Sequence, residues 1–236
     1  MTSSLRNLKV YTTYPHECSY LEDKEATTLF VDPRTEVDGN LYSELSALGF
    51  RRSGSHLYRP HCQRCSACIP ARIRVDDFKP RRNQKRTLQR NQDLVIDQVS
   101  DIRGDEYFDL YCRYIAGRHR DGDMFPPLRD QYLSFLSDEW GVTEYYQMRA
   151  QGKLVGVAVT DRINDGLSAI YTFFDPDMPQ RSLGVFSILW QRQKASEAGL
   201  PYLYLGYWIR DCQKMSYKTQ YRPLELLING RWVDLL

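Results

Sequence analysis

Cys62-Gln-Arg-Cys65-Ser-Ala-Cys68 packs three thiols into seven residues. That spacing lets the sulfurs turn inward on one ion or cluster, and a closed tetrahedral site needs a fourth donor. Cys18 is the first candidate for it, with His61 and His16 behind. The metal set is therefore Cys18, Cys62, Cys65 and Cys68. Zinc and iron–sulfur ligation both use thiolates, so spacing alone does not separate them. Three free buried cysteines are the alternative. Cys112 and Cys212 lie outside the cluster.

A second chemistry begins beside it. From Arg51 to Gln92 twelve Lys and Arg residues face only Asp76 and Asp77, which leaves +10 there and, against a net charge of +2, −8 in the rest of the chain. Lys79 to Asn91 holds six of the bases and no acid. Cations this dense can neutralise several phosphates, and Asn83, Gln84, Gln89 and Asn91 can reach sugars or base edges. A nucleic-acid contact is expected at Lys79, Arg81, Arg82, Lys85, Arg86 and Arg90, extended by Arg72 and Arg74 on the preceding strand. A solvated basic linker is the bland alternative.

Two further segments carry polar chemistry at element ends. Gln180-Arg-Ser-Leu-Gly-Val-Phe186 opens a helix after a strand, where free amides and the helix dipole hold phosphates. Arg181 joins the nucleic-acid set on that ground. Coenzyme A-dependent acetyltransferases of the GNAT superfamily place a glycine-rich turn here, and the bulky Phe186 at its last small position counts against coenzyme A. Gly206-Tyr-Trp-Ile-Arg-Asp-Cys-Gln-Lys-Met-Ser-Tyr-Lys218 follows a strand, and Arg118-His-Arg-Asp-Gly-Asp-Met124 is a comparable polar loop. Aromatics and cations gathered beyond a strand end suit a site that stacks a base or grips a carboxylate.

The chain that must position these groups has 236 residues, 42% hydrophobic and 26% charged, enough for one large domain or two small ones. Its apolar runs fall short of the about 18 residues a membrane span needs, so no membrane contact is expected. Met1 to Tyr20 is polar and lacks the apolar core of a signal peptide. A cytoplasmic location follows as the expectation, and there six cysteines read as thiols or ligands rather than disulfides.

Periodicity predicts the elements. Asp38 to Gly49 reads as a helix through Leu41, Leu45 and Leu48, and Phe50 to Tyr58 as a hairpin turning at Ser53-Gly54-Ser55. Ile69 to Val75 alternates as a strand, with Pro70, Arg72 and Arg74 opposite the apolar face. Helices are expected over Glu106 to Arg118 and Asp130 to Ser137. Strands are expected at Glu144–Arg149, Lys153–Arg162 and Leu167–Phe174, joined by Gln151-Gly152 and Asn164-Asp165-Gly166. Ser182 reads as the cap of a helix running to about Ala198, Tyr202–Trp208 as a fourth strand, and the two segments around Asn229-Gly230 as a closing hairpin. The class is α+β: a GNAT-like mixed, mainly antiparallel sheet with flanking helices over residues 96–236, plus a small Cys-rich basic N-terminal domain over 1–95.

Taken together, these segments resemble the arginyl/leucyl-tRNA–protein transferase family, specifically its bacterial branch with Asp/Glu acceptors. The matching stretches are Pro15-His-Glu-Cys-Ser-Tyr-Leu21, Gly49-Phe-Arg-Arg-Ser-Gly54, Tyr58 through Arg72, Phe78-Lys-Pro80, Ala169 through Pro176, Ser182-Leu-Gly184, Tyr204-Leu-Gly-Tyr-Trp208 and Lys214-Met-Ser-Tyr-Lys218. They run in order over nearly the whole chain. The resemblance implies a cytoplasmic aminoacyltransferase of the N-degron pathway, moving leucine from leucyl-tRNA to the α-amine of proteins with N-terminal Asp or Glu. In related eukaryotic enzymes, N-terminal cysteines bind zinc or an iron–sulfur cluster; the matching positions are Cys18, Cys65 and Cys68, and Cys62 joins them on spacing.

That activity sets the roles. An aminoacyl ester is already activated, so no enzyme nucleophile and no cofactor is required for transfer; zinc or a cluster would be structural. A backbone amide near Thr172–Phe174 is expected to stabilise the oxyanion, and Tyr207 and Tyr217 to handle protons. Arg118, His119, Arg210, Lys214 and Lys218 are expected to bind the acceptor carboxylate. Ile170, Phe173 and Trp208 are the expected leucine pocket. Two rivals share part of the pattern: a coenzyme A-dependent N-acetyltransferase, and a non-catalytic zinc-dependent RNA-binding module that leaves the second half of the chain unexplained.

Overall fold

The three-dimensional structure, a computed structural model, describes residue 5 and residues 8–137 and 140–235. The polar N-terminal stretch read from Met1 lies partly outside the described residues. In chain order the elements begin with β1 (Val10–Thr12), β2 (His16–Glu17), β3 (Glu25–Ala26), β4 (Thr28–Val31), α1 (Gly39–Ala47), β5 (Arg51–Ser53), β6 (His56–Pro60), β7 (Ile69–Arg74) and α2 (Arg82–Arg90). They continue with β8 (Val95–Val99), α3 (Asp105–Arg118), α4 (Arg129–Leu136), β9 (Thr143–Ala150), β10 (Lys153–Ile163), β11 (Gly166–Phe174), α5 (Leu183–Glu197), β12 (Tyr202–Trp208), β13 (Leu224–Ile228) and β14 (Arg231–Asp234).

The core of the molecule is an eight-stranded sheet in the order β14-β13-β7-β12-β11-β10-β9-β8. Among the described residues its neighbours pair antiparallel except β11 and β12, which run parallel because α5 carries the chain back across one face. β10 reads as a nearly continuous apolar run, since both its faces are covered. Leu110, Tyr111 and Ile115 of α3 and Tyr132 and Leu136 of α4 pack on Leu154, Val157 and Phe173. On another face, Leu183 and Phe186 of α5 meet Met148, Val155 and Ala158. Mixed α/β structure with a mainly antiparallel sheet and flanking helices is the expected class.

A smaller sheet, β1-β4-β6-β5, packs with α1 at the end of the large one. Asp38 starts α1 by accepting the Leu41 N–H at 2.8 Å, which satisfies one of the free amides of the first turn. A buried ion pair joins the two sheets: Arg52 on β5 donates Nε and Nη2 to Asp161 on β10 at 2.6 and 2.8 Å. Tyr42 and Thr143 donate to the same carboxylate. Such a pair survives burial because every lone pair is met.

Three findings depart from the sequence reading. β7, drawn from the segment assigned to the N-terminal domain, sits between β12 and β13, so the large sheet crosses the 95/96 boundary. Lys79–Asn91, for which no element was expected, holds the helix Arg82–Arg90, with Gln84 and Thr87 buried, which also removes the linker alternative. Ser182 stands at the start of α5 in the left-handed region, φ 52°, and its side chain makes no cap. The remaining expected elements are present within a few residues of their expected ends.

Candidate active site at the fork of β11 and β12

β11 and β12 pair only over Gly166–Ser168 against Tyr202–Tyr204. Past that point β11 stays with β10 and β12 stays with β7, so the two strands part. Each carries an irregularity at the parting: a register shift at Val159/Thr160 opposite β11, and one at Tyr204/Gly206 in β12. Bulges bend strands in this way. Gly206 has φ 76°, a conformation side-chain-bearing residues rarely adopt, and a Cβ there would lie 3.4 Å from Arg51 Nε.

The open edge of β11 is chemically live. Asp175 N–H bonds to Val155 O on β10 at 2.9 Å. Strand alternation then turns the N–H groups of Thr172 and Phe174 the other way, toward the gap, where no strand pairs with them. The Thr172 hydroxyl lies within 3.1 Å of Ser187 Oγ on α5.

Two cations occupy the apex. Arg51, at the start of β5, donates Nη1 to Ser168 Oγ at 2.6 Å and Nη2 to Ala169 O at 2.7 Å. Lys218 comes from a 3-10 segment, Gln213–Gln220, that closes the β12 side. Its Nζ donates to Tyr207 O at 2.5 Å and contacts Met215 Sδ at 3.0 Å. The Lys218 side chain is buried, and burial followed by the charge of Arg51 lowers its amine to about 7. Among the described residues no carboxylate pairs with Arg51 or Lys218, in contrast to the ion pairs at Arg52, Arg72, Arg181 and Lys214.

The mouth joins two segments that are far apart in sequence. At the end of α3, Arg118 lies 5.7 Å from the Phe174 ring centroid, and His119 Nε2 lies 3.2 Å from Tyr114 OH. Burial and the nearby Lys214 lower the His119 pKa. Lys214 pairs with Asp121 at 2.7 Å and holds that carboxyl below its usual range. Arg210 is exposed, and Tyr217 keeps 39% of its surface open beside Lys218, whose Nζ lies 5.1 Å from its ring centroid.

Tyr207 plays a different part from the one expected of it. Its hydroxyl donates into the carbonyls of Gly49 and Tyr58, at 2.9 and 3.3 Å, and anchors β12 to the small sheet. Burial pushes its pKa up. Nor do Ile170, Phe173 and Trp208 form one pocket: Phe173 is fully buried under α3 and α4, while Trp208 belongs to the separate core around Ala71 and Leu205.

The basic helix reaches this site. Lys79, Arg81, Arg82, Lys85, Arg86 and Arg90 are exposed. Gln84 on the inner side of α2 donates Nε2 to Gln220 O at 3.1 Å, next to the segment that carries Lys218. At the other end Asn91 Nδ2 donates to Arg181 O at 2.8 Å, and Arg90 to Gln180 O. α2 thus bridges the β12 side of the fork to the start of α5. The other expected phosphate contacts are engaged elsewhere. Arg72 is buried beneath Tyr202, 3.4 Å from its ring centroid, and pairs with Glu225 at 2.6 Å. Arg74 pairs with Asp77 and Asp234, and Arg181 with Asp93 at 2.7 Å.

The four thiols lie in the loops that back the fork. Burial, with Cys18, Cys62, Cys65 and Cys212 as neighbours, pushes the Cys68 thiol up to about 12. Among the described residues, however, no three His, Cys, Asp or Glu side chains gather where they could hold a metal ion. Thiolates are the donors that zinc or a cluster takes, and no chemical step below passes through either. The start of α5 does not fit coenzyme A pyrophosphate either: Phe186 is buried on its first turn and Arg181 is spent on Asp93.

Sequence reasoning missed Arg51 as a site residue. Its only signal was the Gly49-Phe-Arg-Arg-Ser-Gly54 stretch, in which the two arginines look alike but diverge, one into the fork and one into the Asp161 pair.

Comparison with known proteins bears on this geometry. The family described as "Arginine-tRNA-protein transferase, C terminus" matches residues 106–228, and "Arginine-tRNA-protein transferase, N terminus" matches residues 16–86. Proteins named "Aspartate/glutamate leucyltransferase" are similar over nearly their full length. The one from Alcanivorax borkumensis is 57% identical over 98% of this chain and 96% of its own. The one from Teredinibacter turnerae is 57% identical over 99% and 96%, and the one from Pseudomonas fluorescens 58% over 99% and 99%.

Proposed function

The chain belongs to the arginine-tRNA–protein transferase family, and on that premise we propose that it moves leucine from leucyl-tRNA to the α-amine of proteins beginning with Asp or Glu. The observation that carries the reading is the fork: an unpaired strand edge with two cations at its apex, tied through Gln84 and Gln220 to an exposed basic helix. Ester, acceptor and tRNA backbone each have a surface there, and the surfaces adjoin.

The chemistry needs no covalent enzyme intermediate. An α-amine with a pKa of about 7.7–8.0 is partly neutral near pH 7.5 and attacks the ester carbonyl. The N–H groups of Thr172 and Phe174 receive the oxyanion, placed before charge develops rather than reorganised by it. The tetrahedral species then expels the ribose oxygen, which takes a proton, while the amine nitrogen loses one. Tyr217 at the mouth is the side chain best placed for the leaving oxygen; Tyr207, anchored to Gly49, holds structure. Proximity supplies much of the acceleration, up to about 7–11 kcal/mol in well-aligned cases. Lys79, Arg81, Arg82, Lys85, Arg86 and Arg90 hold the tRNA backbone.

Arg118, Arg210 and Lys214 make the mouth attractive to an acidic peptide, and His119, held neutral by burial and by Lys214, can add a hydrogen bond. The GNAT-like reading of the second half rests on the strand–helix–strand crossover and the parting of its parallel pair. Its donor is made in the cytoplasm, which is where the protein acts, marking acidic N-termini for the N-degron pathway. Among the described residues no helix is long and apolar enough to cross a membrane.

A transfer assay crossing leucyl- and arginyl-tRNA with Asp, Glu, Lys and Arg N-terminal peptides tests the reading. Leucine on Asp and Glu peptides supports it. Arginine transfer alone, or labelling of every peptide alike, overturns it.

A further inference from the structure

Resting on the transferase reading above, we propose that Arg51 and Lys218 together form the subsite that binds the side-chain carboxylate of the incoming N-terminal Asp or Glu. The cations outside, Arg118, Arg210 and Lys214, attract the peptide without reading it.

Charge balance is the first argument. Lys214 already has Asp121, and its ammonium is open to solvent. Arg51 lies against Gly206 and Lys218 donates to the carbonyl of the next residue, Tyr207, so both stand at the apex of the fork, and among the described residues no carboxylate pairs with either. A buried lysine beside an arginine is costly unless an anion completes the group. Arg51 commits two N–H donors to Ser168 and Ala169, which leaves three of the five in a guanidinium for a ligand.

Distance is the second. Ala169 O, where Arg51 is fastened, and the Thr172 amide, where the oxyanion forms, have two residues of β11 between them, about 7 Å along an extended strand. An acidic residue spans that gap when its α-nitrogen faces the ester carbon: an Asp or Glu side chain plus a hydrogen bond of about 2.9 Å at the carboxylate end reaches the apex. A neutral Asn or Gln has the length but no charge for the pair.

The arrangement also couples acceptor binding to a proton. Lys218 faces Arg51 from β5, Cys212 from the exit of β12, Tyr217 on its own segment, and the Tyr207 carbonyl. With its amine at about 7, much of it is neutral at pH 7.5 in the empty site. A carboxylate entering between it and Arg51 favours the ammonium, so binding takes up part of a proton.

Isothermal calorimetry on the full chain, in two buffers of different ionisation enthalpy at pH 7.5, tests this with peptides differing only in N-terminal Asp or Asn. The Asp peptide should bind at least about tenfold tighter. It should also take up a fraction of a proton beyond whatever the Asn peptide shows. Lys218→Arg should keep the preference and lose the excess uptake, and Arg51→Met should lose the preference. Equal affinity and equal proton counts for the two peptides would overturn the subsite, and the wild-type comparison alone decides if a variant does not fold. Leucine transfer with no Asp preference in binding would sink the subsite and spare the reaction. Asp-selective, proton-linked binding without leucine transfer would sink the reaction and spare the subsite.

Discussion

The side-chain amide of Gln84 donates to the backbone carbonyl of Gln220 across 3.1 Å, which joins the basic helix to the segment that buries Lys218. Gln84 is itself buried and also accepts the Arg81 N–H at 2.8 Å, so it both starts α2 and docks it. Gln84→Ala should therefore loosen the helix without touching the fork. The expected result is a rise of about three- to tenfold in KM for leucyl-tRNA, the scale of one lost hydrogen bond, with KM for an Asp peptide unchanged. Steady-state kinetics in each substrate checks it.

The exposed bases of α2 act through counterion release. Arg82→Glu with Lys85→Glu should weaken aminoacyl-tRNA binding and flatten the slope of log K against log salt by about 1–2. Arg72→Gln should behave oppositely, with protein stability lost and the salt slope intact, since Arg72 lies buried on Glu225. Filter binding over a salt series, beside thermal melts, separates the two.

Lys218 trades stability for function. Its amine titrates at about 7 in the folded protein against 10.5 ordinarily. The folded state therefore resists a proton that the unfolded chain binds. The penalty is fully present below pH 7 and fades as pH rises toward 10.5. Lys218→Met should raise the melting temperature by about 2–4 °C, more at pH 6 than at pH 9, while acceptor selectivity falls. A melting temperature that drops equally at both pH values would contradict this.

The Arg52–Asp161 pair should behave as structure alone. Asp161→Asn leaves a guanidinium buried without its counter-charge and is expected to cost about 3–5 kcal/mol in urea denaturation. Any activity that survives at low temperature should keep its preference for Asp over Asn acceptors, because Asp161 faces Tyr42, Arg52 and Thr143 and not the fork.

Gly206→Ala tests the bend that opens the fork. The substitution meets φ 76° and places a methyl 3.4 Å from Arg51 Nε. Stability should fall by about 1 kcal/mol or more, and KM for the Asp peptide should rise more than KM for leucyl-tRNA. Equal effects on the two substrates would mean that the bend does not position Arg51.

What could be read in the sequence and what could not divides along one line. Local rules were sufficient where a residue's neighbours in sequence determine its state: Asp38 caps α1, and Asn164-Asp165-Gly166 turns β10 into β11. α2 was invisible because its only apolar residue is Leu88, so no helical stripe appears; Gln84, Thr87 and Asn91 hold it through polar contacts made only in the folded chain. Arg72 alternated with apolar residues and so read as an outward extension of the nucleic-acid contact, yet Trp232 and Tyr202 cover that face too. The site was legible as two aromatic and cationic segments, Arg118–Met124 and Gly206–Lys218. That they meet, and that Arg51 on β5 closes the apex between them, follows from sheet order, which residue types do not encode.

The most direct test of the fork is a crystal structure with leucyl-adenosine whose ester is replaced by an amide, soaked with an Asp N-terminal peptide. The account predicts the leucyl carbonyl oxygen within hydrogen-bond distance of the Thr172 or Phe174 amide, and the peptide carboxylate between Arg51 and Lys218. A leucyl group bound away from the open edge of β11 would contradict it.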